Sequence, residues 1–145
     1  MNKKELEVVI QRIEKWYKHL YGMVVYKKTT FNAEFGWTKD HIPFDDKESL
    51  SFKPIREGEN WGKKWESAWF HLSSEIPETH KGKKLATELD FSGEGLIFTP
   101  LGEIIQGITN GAIWDQNFLR TRVLLDEKFI KDGKVELWAE TAANS

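Results

Sequence analysis

The spacing of apolar residues changes period once along this chain, and that change constrains the fold more than any other feature. Near the N-terminus Leu6, Val9, Ile10, Ile13, Trp16, Tyr17 and Leu20 recur at helical spacing, while Lys4, Glu7, Gln11, Glu14, Lys15 and Lys18 fall elsewhere. Asn2 followed by Glu5 forms a cap with a reciprocal acidic partner, and Gly22 marks the expected stop, so residues 1–22 read as one amphipathic helix. No strongly basic surface accompanies its apolar stripe, which favours packing on its own domain over a membrane surface. From Trp65 onward the period becomes two. Ala68, Phe70 and Leu72 alternate with Trp69 and His71, and Leu85, Thr87, Leu89 and Phe91 alternate with Lys84, Ala86, Glu88 and Asp90. Thr99-Pro100-Leu101-Gly102 and Lys131-Asp132-Gly133-Lys134 are turn signals, the second leading into Val135, Leu137 and Ala139. Several short strands separated by turns predict a β-sandwich, so the fold class is α+β and mainly β.

Between these regions, residues 23–60 have no clean period. Met23–Tyr26 reads as a short strand. Phe31, Phe35, Trp37, Ile42, Phe44, Leu50, Phe52 and Ile55 follow, interrupted by Gly36, Pro43, Pro54 and Gly58. This stretch is too aromatic for a free linker. It reads as extended chain lying against the domain or a neighbour, with residues 61–145 as the sandwich and all three parts in one structural domain.

Chemistry is sparse. A chain of 145 residues is too short for a complete (β/α)₈ enzyme, which typically needs about 250 residues. Lys and Arg total 21 against 23 Asp and Glu, and the lysines are scattered among acids. That pattern lacks the clustered basic face of a nucleic-acid binder. There is no apolar run long enough to span a membrane and no apolar signal core. The absence of cysteine removes thiol chemistry and fits a cytoplasmic protein. His19, His41, His71 and His80 show no metal-binding spacing. Glu88, Asp90 and Glu94 resemble a carboxylate set, but acids alternating along a strand are what a solvated face requires. Asp45-Asp46 reads as turn or cap chemistry. Gly93-Glu94-Gly95 does not open a helix and reads as a tight connection between strands. No catalytic and no metal-binding residue emerges.

Seven tryptophans against two methionines are the strongest positive signal. Trp61, Trp65 and Trp69 recur every four residues, as a helix stripe or, for the last two, one strand face. Three roles are open for them: core first, domain interface second, and a platform for stacking sugar rings third.

Several motifs occur in order. Gly58-Glu59-Asn60-Trp61-Gly62 leads through Trp69-Phe70 to Ile76-Pro77-Glu78. Ser92-Gly93-Glu94-Gly95 has the form S-x-E-G, Gly102 through Gly107 the form G-x-x-x-Q-G, and Glu140 through Asn144 the form E-x-x-A-N. With the leading helix carrying Arg12, Ile13 and Trp16, this series resembles the amino-terminal part of α-mannosidases of glycoside hydrolase family 38. The resemblance implies a jelly-roll β-sandwich similar to galactose-binding domains, preceding a catalytic (β/α) domain. It also implies that hydrolysis of α-mannosidic bonds, retaining and zinc-dependent, belongs to that later domain. None of the family's zinc-binding or nucleophile motifs occurs here, so the chain is expected to be a fragment with no cofactor of its own. Its implied partners are the catalytic domain of the same polypeptide, further copies in a homo-oligomer, and mannosides, with a cytoplasmic location.

Overall fold

A computed structural model of the chain describes residues 2–24, 29–111 and 119–143. It divides into two compact units, Met1–Thr30 and Phe31–Ser145.

The first unit holds one helix, α1, over Lys3–Val24. Its N-terminus is closed as a capping box: Glu5 N–H donates to Asn2 Oδ1 and Asn2 N–H donates to Glu5 Oε2, both at 2.9 Å. The helix continues through Gly22 instead of stopping there, because one glycine costs a helix only about 1 kcal/mol. Met23 and Val24 are therefore helical where a strand was expected, and Val25 and Tyr26 lie outside the described residues. Ile13, Trp16, Tyr17 and Leu20 are exposed along one side, and among the described residues this unit contains no second element.

The second unit is an antiparallel β-sandwich of jelly-roll type. Its strands are β1 (Asn32–Thr38), β2 (Phe52–Ile55), β3 (Ser67–Glu75), β4 (Leu85–Glu88), β5 (Gly93–Phe98), β6 (Ile104–Thr109), β7 (Arg122–Leu125), β8 (Ile130–Lys131) and β9 (Lys134–Ala143). The large sheet has the order β2-β1-β3-β9-β5-β6, with β8 also paired to β9, and β4 pairs with β7 in a small sheet. The longest register joins β3 to β9, from Ser67 opposite Ala142 to Glu75 opposite Lys134. Alternation explains it: Ala68, Phe70 and Leu72 meet Leu137 and Ala139 on one face, and all are buried. Across the sandwich, Leu89, Phe91 and Val123 complete this core. The β8–β9 hairpin turns at Asp132 and Gly133, with φ of 53° and 74°, the two positive values a tight hairpin turn needs.

Strands β1 and β2 lie inside the stretch of residues 23–60 that shows no period. Gly36 and the polar residues of β1 interrupt its alternation, and pairing with β3 supplies what local pattern does not. Between them, residues 39–50 cross the face of the large sheet opposite the main core. There Phe44 packs edge-on against Trp69 and Trp138, and Trp69 Nε1–H donates to Ile42 O at 2.9 Å. Both faces of the large sheet are thus covered in its centre.

One connection is placed differently from expectation. Gly93–Gly95 is part of β5, and the turn precedes it at Ser92, whose φ is 57°. Space is tight within β5: a Cβ on Gly95 would stand 3.2 Å from Glu140 O, Ile108 Cγ1 and Thr141 Cγ2.

Candidate functional site

The three spaced tryptophans do not form a stripe. Trp69 is 1% exposed on the side of β3 that residues 39–50 cover. Trp61 lies on the core side, edge-on to Phe70 at 5.4 Å, with its Nε1–H donating to Phe91 O at 2.8 Å. Trp65 precedes β3 and is 73% exposed. Trp138 is half-buried in the aromatic layer beneath residues 39–50, Trp16 is on α1, and Trp114 lies outside the described residues.

Trp65 occupies a tight turn. Glu66 N–H donates to Lys63 O at 3.0 Å, so Trp65 is the third residue of a four-residue turn, and its φ is +68°. That position favours glycine, because a Cβ crowds the backbone in the left-handed region. The conformation is held by its surroundings. Trp65 N–H donates to Ala143 O at 2.8 Å and Ala143 N–H donates to Glu66 O at 2.9 Å, extending the β9 ladder across the turn.

Glu66 is the second fixed group. Its Oε2 accepts from Lys63 N–H at 2.7 Å and from Trp37 Nε1–H at 2.8 Å. The Lys63 backbone bond, with the Trp37 indole bond next in size, holds the carboxyl below the ordinary glutamate value. Its Oε1 has no hydrogen-bond partner among the described residues. Trp37, brought here by β1, is 48% exposed, and Lys64 Nζ stands 5.5 Å from the Trp65 ring centroid. The sequence does not single out Glu66, and it marks Trp37 only as part of the aromatic stretch from Trp37 to Phe52 that reads as lying against the domain or a partner. The three-residue spacing of Lys63 and Glu66 signals the local turn, but nothing in the sequence signals that β1 brings Trp37 to it.

Elsewhere, polar groups serve packing. His71 stacks on Trp138 at 4.5 Å and hydrogen-bonds Glu136 at 2.8 Å, while His41 pairs with Glu140. Lys47, 6% exposed, places Nζ 3.7 Å from the Phe44 ring centroid. Glu88 faces Arg122 at 3.5 Å, and Asp90 Oδ1 accepts from Ser92 N–H at 2.8 Å. Among the described residues no group of three or more His, Cys, Asp or Glu could hold a metal ion. The described side chains therefore do not fit a zinc site, and no helix among them is long and apolar enough to cross a membrane.

Motif residues 140–143, 93–95 and 104–107 lie on β9, β5 and β6, Ser92 and Gly102 lie in the turns before β5 and β6, and Asn144 lies outside the described residues. Gly95 pairs with Thr141 and with Ile108, and Leu96 pairs with Gly107. Gln106 Nε2–H donates to Arg122 O at 2.9 Å, tying β6 to β7 in the small sheet. These residues are required by close backbone approach and inter-sheet bonding.

Residues 26–145 match the family model described as the jelly-roll domain of alpha-mannosidase. The chain belongs to this alpha-mannosidase jelly-roll family. Alpha-mannosidase G of Dictyostelium discoideum is 28% identical over 150 residues, covering 97% of this chain and 13% of that protein. Human alpha-mannosidase 2C1 is 28% identical over 108 residues, covering 74% of this chain and 10% of its own length. The mouse protein of the same name is 24% identical over 113 residues, covering 73% of this chain and 11% of its own length. The jelly-roll chain thus spans about a tenth of the length of the curated relatives it matches.

Proposed function

We propose that this jelly-roll chain acts as the non-catalytic N-terminal domain of an α-mannosidase of glycoside hydrolase family 38. The observation that carries the reading is the family match over residues 26–145, set against relatives of which it covers 10 to 13%. Hydrolysis of α-mannosidic bonds, with zinc and a retaining mechanism, then resides in the remainder of the polypeptide, located in the cytoplasm. The domain's work is contact: with the catalytic domain of the same polypeptide and between copies in an oligomer. Exposed apolar side chains support that role, with Leu101 and Ile104 together on the β5–β6 hairpin. Residues of this kind are ordinary singly but suit an interface when adjacent.

The test is to compare the whole gene product with a version lacking residues 31–145. The reading expects the whole product to hydrolyse 4-nitrophenyl α-D-mannopyranoside and the shortened one to lose assembly or activity. A shortened product with unchanged assembly and turnover would contradict the contact role. A whole product inactive on α-mannosides would contradict the parent activity.

A further inference from the structure

We propose that Trp37, Trp65 and Glu66 form a shallow binding site for a hexopyranose, an α-mannoside being the sugar to expect. The choice of mannoside rests on the assignment to an α-mannosidase; the site rests on its own geometry.

A single exposed tryptophan needs no explanation. Trp65 differs because its backbone lies in the left-handed region, where a bulky residue is strained. Glycine would satisfy the same turn, and a side chain 73% exposed recovers little of that strain through packing. The conformation is nonetheless held by two ladder bonds to Ala143. Beside it, Glu66 is oriented by two donors that both use Oε2, leaving the lone pairs of Oε1 available. As a carboxylate Glu66 is ionised at neutral pH, and the same two hydrogen bonds favour that charged form further.

The chemistry of the ligand follows. It must offer O–H donors to a carboxylate oxygen, a strong charge-assisted bond, and an apolar face to an indole. A pyranose ring has both: hydroxyls on its rim and C–H bonds on its face. A protein partner fits less well. Protein interfaces are depleted of charge at their centre, whereas here Lys64 Nζ stands 5.5 Å from the Trp65 ring centroid and the Glu66 carboxylate is bonded to the Trp37 indole. The Trp37 indole N–H is already committed to Glu66, so this ring also offers its face.

The experiment is a titration of the 145-residue chain with methyl α-D-mannopyranoside, followed by tryptophan emission. It is repeated with Trp65→Gly, which suits the positive φ, and with Glu66→Gln. In the glutamine variant the amide oxygen can keep the Lys63 and Trp37 bonds, while an N–H₂ donor replaces the free acceptor. Circular dichroism checks that both variants fold. The expected result is a saturable change with millimolar half-saturation, weakened about tenfold or more in each folded variant, the equivalent of one hydrogen bond or ring contact. No saturable change in the parent chain, or a change undiminished in both variants, would overturn the site. If binding fails while the whole gene product still hydrolyses α-mannosides, the site is wrong and the proposed function stands. Binding by the chain, with a whole gene product inactive on α-mannosides, would reverse that outcome.

Discussion

At the scale of single residues, Trp65 and Glu66 carry the most information. The φ of +68° at Trp65 sets a stability cost that no packing of its exposed ring offsets. Trp65→Gly should therefore raise the unfolding free energy by up to about 1 kcal/mol, strain relief being partly cancelled by the greater freedom of glycine when unfolded. Urea denaturation measures it, and a fall in midpoint would contradict the account of the turn. Glu66 sets a pH dependence. Its pKa is lower in the folded chain than its ordinary value of 4.5, so its contribution is present above that value and lost as pH falls through the folded one. Glu66→Gln should flatten that part of the acid stability profile; an unchanged slope would show that the Lys63 and Trp37 bonds do not favour the charged form. Little of this is legible in the sequence. The spacing of Trp61, Trp65 and Trp69 suggests a stripe, but the left-handed turn at Trp65 precedes β3 and breaks it. Trp37 reaches Glu66 across 29 positions of sequence, a distance that only strand pairing closes.

At the scale of elements, legibility follows local period. Strands β3 and β9 alternate cleanly because one face is core, and their pairing and the two main hairpin turns agree with the pattern. The strand β1 is hidden because Gly36 falls where alternation would show a side chain. That glycine is demanded by residues 39–50: a Cβ there would stand 2.7 Å from Leu50 Cβ. Gly36→Ala should force Leu50 and the Phe44 layer away from the sheet, at a cost of about 1–3 kcal/mol typical of overpacking. Gly95 on β5 is crowded to a lesser degree: a Cβ there would stand 3.2 Å from Glu140 O, Ile108 Cγ1 and Thr141 Cγ2, so alanine needs those neighbours to give by a few tenths of an ångström. Thermal unfolding of Gly36→Ala and Gly95→Ala tests both sites, and wild-type stability in either would show that its neighbour yields freely.

At the scale of the whole molecule, the β-sandwich is held by a core shared between its two sheets, with Phe70, Ile97 and Leu137 from the large one and Val123 from the small one. Leu137 is fully buried at the centre of the longest strand. Leu137→Ala should cost about 2–5 kcal/mol and lower the urea midpoint accordingly; a loss well under 1 kcal/mol would mean that the core closes elsewhere. The β-sandwich was readable from period and turns, its jelly-roll type from the resemblance carried by five motifs, and the structure shows what the residues of those motifs do. Three of them fall at β9, β5 and β6 and a fourth includes the Trp61 contact with Phe70, where the strands pair and the sheets are tied together, while the fifth, with Arg12, Ile13 and Trp16, is on α1 in the first unit. In the sandwich their described residues serve strand pairing and inter-sheet bonding, and the proposed function puts catalysis elsewhere in the polypeptide. The most direct measurement is therefore turnover of 4-nitrophenyl α-D-mannopyranoside by the purified 145-residue chain, with and without added zinc. The account predicts a folded β-rich protein with no hydrolysis above background in either condition. Sustained turnover by this chain, abolished by a chelator and restored by zinc, would contradict it.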